Sequence, residues 1–252
     1  MNKLILLLIF IAAPMFADGQ ATFLETGELM YERKINAYSL LEKEYADQAS
    51  FISEYKTRFG KFDSSYFSLK FNGASALYEP GAQQNSSFFS FLEKVGYNNV
   101  VFTDLTNDSA IIVRNIFEKK VTLHDRRPRI TWKLTDEERD IAGFHCRRAN
   151  GLLEDSIFVV AFYAEQIPIS AGPETFSGLP GLIMGVVVPR FHTTWFVKSI
   201  KSSQLSAGIQ APIYMRSADK VTYQSLNKEI SSVLKDYQNS RSYERIIFSV
   251  FL

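Results

Sequence analysis

The residues that could do nucleophilic or acid–base chemistry are few and scattered. Cys146 is the single cysteine and follows His145. In an extended strand neighbouring side chains point to opposite faces, so this pair does not form a thiol–imidazole couple. Cys146 shares a face with Phe144 and reads as a small buried apolar residue. His124, His145 and His192 lie far apart, and none sits in a His-x-x-x-His or Cys-x-x-Cys pattern, so no metal site is expected. Ser177, in Phe176-Ser177-Gly178, lacks the Gly-x-Ser-x-Gly nucleophile elbow, and Ser170 between Ile169 and Ala171 lacks it too. Glu165 and Glu174 bracket Pro168 and could pair for hydrolysis. The competing reading has Glu165 ending a strand and bonding to loop backbone. Gly178-x-x-Gly181 is no phosphate loop, because Pro180 removes a donor and no lysine follows. No cofactor is expected.

The elements that would position these groups centre on one unusual segment. Pro168, Gly172, Pro173, Phe176, Gly178, Leu179, Pro180, Gly181, Leu182 and Ile183 combine prolines and glycines with large apolar side chains. Proline fixes φ and lacks a donor, and glycine reaches conformations other residues avoid, so no regular helix fits here. An apolar segment of this kind between two hydrophobic runs is a shaped loop that packs on the protein. Its role is expected to be structural.

Bulk properties narrow the function classes. The formal charge is +1. A near-neutral chain of mixed signs lacks the field for nucleic-acid binding. Lys119, Lys120, Arg126, Arg127, Arg129 and Lys133 form the densest basic stretch, beside Asp136, Glu137, Glu138 and Asp140. Solvated strand ends explain both groups, and contact with an anionic surface is the alternative. Lys3 followed by the apolar run Leu4–Ala13, with small residues at Ala17 and Gly19, has the pattern of a secretory signal over residues 1–19. The run is too short to span a bilayer, no later run reaches the required length, and no cysteine follows it as a lipid anchor would need. A periplasmic or secreted location follows as an expectation. One cysteine cannot form an internal disulfide, so the core must hold by burial.

Residues 22–35 alternate as a first strand, with Leu29, Tyr31 and Arg33 on one face. Tyr38, Leu41, Tyr45, Gln48, Ile52, Tyr55 and Phe59 then recur every three or four residues and predict one helix over 40–57, opened by a Ser39/Glu42 capping box. Tyr66–Phe71 and Ala76–Tyr78 flank Asn72-Gly73, the strongest short hairpin signal. Residues 80–98 read as a polar loop. Strands are expected at 99–105, 109–118, 128–134, 140–149, 155–165, 182–188 and 191–201. Turns are expected at Asn107-Asp108 and Asn150-Gly151, and a bend at Pro189-Arg190. Residues 202–212 read as loop. A second helix begins near Thr222, and 246–252 is apolar and β-prone, a terminal strand or tail. Residues 20–252 read as a single β-rich domain.

Gly178-Leu179-Pro180-Gly181-Leu182-Ile183 is also the signature of the GLPGLI family of bacterial envelope proteins, which this chain resembles. Supporting pieces are Gly27–Glu32, Leu69–Asn72 with Ala76–Pro80, Trp132–Leu134, Ile141–Ala149 and Phe162–Pro168. The family carries no activity to transfer. The same order is similar to lipoprotein-carrier (LolA/LolB-like) half-barrels, which implies an open, curved antiparallel sheet with helices over its concave face. The expected fold is mainly β with two covering helices. The expected role is that of a non-enzymatic envelope protein binding a lipid, peptide or protein partner on its curved sheet. The alternative is a hydrolase, or a module accompanying one, using polar groups near the loop. The signal pattern predicts that exported protein begins between Asp18 and Ala21; N-terminal sequencing that finds Met1 retained refutes it.

Overall fold

The computed structural model describes residues 24–81, 98–116, 119–153, 156–202, 208–235, 238, 240 and 242–251. The expected signal at 1–19 and most of the expected 80–98 loop lie outside them, as does part of the 202–212 loop. The strands are β1 (Gly27–Asn36), β2 (Phe62–Phe71), β3 (Ser75–Pro80), β4 (Val100–Asp104), β5 (Ser109–Ile116), β6 (Lys119–Arg126), β7 (Ile130–Ile141), β8 (Phe144–Leu153), β9 (Ile157–Ala164), β10 (Leu182–Val188) and β11 (Thr193–Ser202). They form one antiparallel sheet in the order β6-β5-β4-β3-β2-β1-β11-β10-β9-β8-β7. Every strand neighbours its successor except at one place, where β1 and β11 pair and leave β6 and β7 as the two edges.

Chain length dictates how the sheet bends. Laid flat, eleven strands at about 4.8 Å spacing would hold the edges some ~48 Å apart. Only residues 127–129 connect β6 to β7, and four Cα steps reach at most about 14 Å. The sheet therefore curls strongly, as the half-barrel expectation requires, and does not close.

Period-two burial supplies the inward face. β1 buries Leu29, Tyr31, Arg33 and Ile35, and β2 buries Ser65, Phe67, Leu69 and Phe71. Asn72 makes the β2–β3 turn with its side chain, accepting from the Ala74 and Ser75 amides at 3.0 and 2.7 Å. Asp108, at the expected Asn107-Asp108 turn, has φ 51°.

Three strand assignments need correction. The expected 140–149 strand is split by a two-residue turn, Ala142-Gly143, with φ 51° and 85°. Positive φ at both positions is the primed-turn geometry that matches strand twist. Asn150-Gly151 is no turn and lies inside β8, opposite Lys133 and Trp132. Gly151 serves close approach, since a Cβ there would stand 2.6 Å from the Trp132 ring. β6 was not expected, because only Val121 and Leu123 mark its buried face among charged neighbours.

The helices also differ from expectation. In place of one helix over 40–57 there are α1 (Ala37–Glu44) and α2 (Ala49–Arg58). Asn36 caps α1, accepting from the Ser39 amide, so the cap lies three residues before the expected one. A single 18-residue helix would run about 27 Å. Broken at Tyr45, the segment folds back, Tyr38 packs edge-on to Tyr55, and the Tyr38 hydroxyl donates to the Lys56 and Phe59 carbonyls that end α2. Then come a one-turn α3 (Ile213–Arg216) and α4 (Tyr223–Val233). Thr222 and Ser225 cap α4 reciprocally. The apolar end is neither strand nor tail but α5 (Tyr243–Phe251), whose apolar residues follow helical spacing.

Leu226, Ile230 and Leu234 from α4 and Phe248 and Val250 from α5 join the main core with the inward strand residues. α1 and α2 form a smaller cluster with Ile35. A buried fork between Arg245 and Glu44, 2.7 and 3.1 Å, ties α5 to α1. Leu41 is 1% exposed in the smaller cluster. Leu41→Ala should cost about 2–5 kcal/mol of stability, read by denaturant unfolding; an unchanged midpoint refutes docking of α1.

Candidate functional site

The segment between β9 and β10, residues 165–181, crosses the inside of the curled sheet. Its backbone is held by its own turns: Leu182 donates to Ile167 and Ile183 to Ala171, both at 2.9 Å, and the Gly178 amide donates to Ser170 Oγ. It also touches both ends of the sheet. Arg127, between β6 and β7, donates to the Ser170 carbonyl, and Trp132 of β7 donates to the Ser177 carbonyl. Phe176 packs edge-on to Trp195 of β11 at 5.8 Å. Ile167, Ile169, Leu179, Leu182 and Ile183 are buried, while Pro168, Gly178 and Pro180 face solvent.

Three glycines and one compact turn shape the path. Gly178 has φ 93°, open to glycine and costly to other residues. At Gly181 a Cβ would collide with the Ala164 carbonyl. Gly172 is also confined, with a Cβ 2.9 Å from both Ile183 and the Phe176 carbonyl. Pro173 follows it, buried, and its carbonyl accepts from the Phe176 amide.

That turn delivers Glu174 to the interior. Glu174 is 3% exposed and adopts φ 51°. A non-glycine residue there costs of the order of 1–3 kcal/mol and persists only where its surroundings enforce it. Asn99 Nδ2 donates to Oε2 at 2.8 Å, and the Tyr78 hydroxyl lies 3.4 Å from Oε1. Arg33 and Arg114, both buried, supply positive charge beside it. Burial raises the Glu174 pKa, and it outweighs the downward pull of Arg33, Arg114, Asn99 and Tyr78. Arg114 donates to the Ser249 carbonyl of α5 and has its pKa lowered by burial. Its Nε and Nη2 find no hydrogen-bond partner among the described residues, nor do Asn99 Oδ1 and Trp195 Nε1. Tyr31 and Tyr78 are fully buried with their phenol pKa values raised, chiefly by desolvation. The Tyr31 hydroxyl donates to the Ile183 carbonyl at the end of the loop.

The other sequence candidates are not brought together. Glu165 sits at the surface, bonded to Arg147 at 3.0 Å and to the Tyr163 hydroxyl at 3.3 Å, with no link to Glu174. The two do not form a carboxylate pair, and Glu165 bonds side chains where loop backbone was expected. Cys146 is buried, donates to the Phe144 carbonyl, and has its pKa pushed up to about 12 by burial. His145 lies exposed on the far side of that strand between Asp140 and Glu138, at 3.2 and 3.1 Å, which raise its pKa. His192 has left-handed φ after the Pro189–Phe191 turn, and burial lowers its pKa. Among the described residues no cluster of His, Cys, Asp and Glu is placed to hold a metal. Among the described residues no helix is long and apolar enough to cross a membrane.

The basic stretch lines both sheet edges: Lys119 pairs with Glu229, Lys120 lies over the Tyr214 ring, and Arg127 pairs with Asp108. Sequence reading missed the arginines of the interior. Arg33 had a signal, since it shares the alternating face of Leu29 and Tyr31. Arg114 shares the face of Ala110, Ile112 and Ile116 on β5, but the burial of Val113 beside it blurs the alternation.

Steric confinement at the loop gives a direct test. Gly181→Ala should lower stability by about 1–3 kcal/mol through overpacking against β9; an unchanged thermal midpoint refutes the close approach.

Residues 150–185, which carry the end of β8, all of β9, the crossing segment and the start of β10, match a family described as "Protein of unknown function (Porph_ging)". No curated protein matches the sequence. Two crystal structures of PNGF-II, in space groups P21 and C2, resemble the fold with TM-scores of 0.53 and 0.52 at 12% and 13% identity. They match 82% and 81% of this chain but only 33% and 32% of theirs, so this chain spans about a third of the length of PNGF-II.

Proposed function

We propose that this is an exported, non-enzymatic envelope protein of the GLPGLI type, in which segment 165–181 is a structural clamp and partner contact falls on the outside of the sheet. The observation that carries the reading is the state of Glu174. The one carboxylate the loop sends inward is 3% exposed and surrounded by Asn99, Tyr78, Arg33 and Arg114. Its 3% exposure leaves it shut away from a substrate, and its bonds tie the loop, which joins β9 and β10, to β3 and the start of β4 on the other side of β1. Export is supported by the signal pattern of residues 1–19.

The concave face is filled by α4, α5 and the loop. A lipid, peptide or envelope-protein partner therefore meets the convex face. There Leu152 of β8 and Phe158 of β9 stand directly opposite each other, 44% and 45% exposed. An exposed cross-strand apolar pair of this size suits a contact surface. A second reading, a hydrolase or a module accompanying one, draws on Glu165, Arg147 and Tyr163 grouped where the loop leaves β9.

Two substitutions at one position test the clamp. Because burial lifts the Glu174 pKa, the neutral side chain is favoured in the folded state relative to the unfolded one. Its stabilising contribution is full below the unfolded carboxyl value of about 4.3 and declines as pH rises through the higher folded value. Glu174→Gln should flatten this pH dependence, so that its stability relative to the native protein rises with pH. Glu174→Ala, which removes the acceptor and opens space, should cost about 2–4 kcal/mol. A Gln variant that stays folded but loses a specific hydrolytic activity refutes the clamp.

A further inference from the structure

The segment 208–216, which holds α3, lies on the outer side of β3 to β6. Leu77 and Val113 stand beside the inward residues Tyr78 and Ile112, so alternation turns both outward. Both are buried, yet they belong to neither core cluster. Outward Ser75 donates from Oγ to the Ile209 carbonyl at 2.9 Å, and α3 packs against β5. Ala211 and Met215 of the segment are buried as well. Its packing is complete without Ile213 and Tyr214. Ile213, at 75%, is the most exposed large apolar side chain among the described residues, and Tyr214 beside it is 48% exposed. The Met215 amide donates to the Pro212 carbonyl, and the Ser217 amide and hydroxyl both donate to the Ile213 carbonyl. The two side chains are therefore held outward on an ordered turn.

Cations surround the pair. Lys120 Nζ lies 5.0 Å from the centre of the Tyr214 ring. Arg216 closes the turn, and Lys220 precedes Val221, which pairs with Leu123 of β6. Lys120, Arg216 and Lys220 are exposed, and none forms an ion pair among the described residues. The carboxylates nearby are fewer or already engaged. Asp219 is exposed within the same segment. Glu79, within electrostatic reach of Tyr214, is bound to Lys70 at 2.8 Å, and Glu229 is bound to Lys119 at 2.9 Å.

We propose that this corner of the molecule is a contact site for the surface of an anionic phospholipid bilayer, with Ile213 inserted, Tyr214 at headgroup level, and Lys120, Arg216 and Lys220 against lipid phosphates. Two protruding side chains offer far less area than the roughly 800 Å² per partner of a stable protein interface. A bilayer demands no matching shape. Reversible contact with it scales with the apolar area inserted and with attraction to anionic headgroups, and a narrow apolar point ringed by unpaired cations supplies both. The site lies apart from Leu152 and Phe158 and uses no residue of the clamp, so it stands or falls separately from the functional proposal.

Co-sedimentation of the chain from Gln20 to Leu252 with lipid vesicles tests this. Vesicles of phosphatidylethanolamine and phosphatidylglycerol should bind the protein at low salt and release it as salt rises, whereas vesicles of phosphatidylcholine should bind it about tenfold less or weaker still. Arg216→Gln and Lys220→Gln should each weaken binding about fivefold, and Ile213→Ser about tenfold or more. All three side chains are exposed, so the variants should keep the native circular-dichroism spectrum. Phe158→Ser should leave binding unchanged. A protein that ignores phosphatidylglycerol vesicles at low salt overturns the proposal. So does binding that survives Ile213→Ser and both neutralisations, or binding that Phe158→Ser removes. A self-associated form that binds no vesicle and dissociates in Ile213→Ser assigns the corner to a second copy of the chain, and overturns it equally.

Discussion

A sheet of eleven strands whose two edges are joined by three residues must curl, and a curled sheet has an inside that must be filled. The remaining architecture answers that constraint. Strands β1 to β3 bring Tyr31, Phe67, Phe71 and Tyr78 inward, with Phe67 and Tyr78 stacked at 5.0 Å. These rings leave the space between β5, β6 and the far strands open. α4 and α5 take part of it, and the segment between β9 and β10 takes the rest. That segment is apolar because it is interior. It is rich in glycine and proline because it must turn where no ladder supports it.

Filling the interior with loop brings backbone polar groups inside, and these need partners. The loop answers in two ways. It bonds to itself, through Ile167, Ala171 and Pro173 carbonyls, and it accepts from the side chains of Tyr31, Arg127 and Trp132. Glu174 and its buried arginines extend the same logic to charge. Such a cluster contributes little net stability compared with apolar packing, but it penalises every arrangement in which a charge loses its partner. A core made mostly of Leu, Ile, Val and Phe tolerates repacking; one that must return Glu174 to Asn99 and Tyr78 does not.

Much of this was legible in the sequence, and the failures have physical causes. Alternation placed β1 and β2, the runs after the Pro/Gly segment marked β10 and β11, and turn chemistry placed Asn72 and Asp108, because these signals are local. Helix periodicity located the apolar faces of α1 and α2 but not their break at Tyr45, since the same residues stay buried when the helix folds on itself. Gly151 and Gly143 exchanged roles. One admits the Trp132 ring and the other makes a turn, and only the partner strand distinguishes them. Charged ends hid β6. The C-terminal run was misread because a short apolar stretch has no period that separates strand from helix. Glu174 was named as a candidate by residue type, and its burial was invisible, since Asn99, Arg114 and Arg33 reach it from strands distant in sequence.

The stretch that matches a family of unknown function, residues 150–185, is the part of the chain on which these distant contacts converge. It holds Ala149's neighbours at the end of β8, the doubly buried β9, the clamp, and the start of β10 with its bulge at Ile183/Gly185. Outside it, β6 and β7 vary only an edge, and α1 and α2 pack as a separate cluster on the ends of β1 and β2. A substitution in α2 disturbs a few aromatic neighbours. One at Gly181 or Glu174 acts on β9 and β10 and on strands β1, β3 and β5 together. Specificity in this fold is therefore concentrated where the backbone is least regular, because that backbone reaches from β9 and β10 to the β6–β7 link and to β1, β3 and β7.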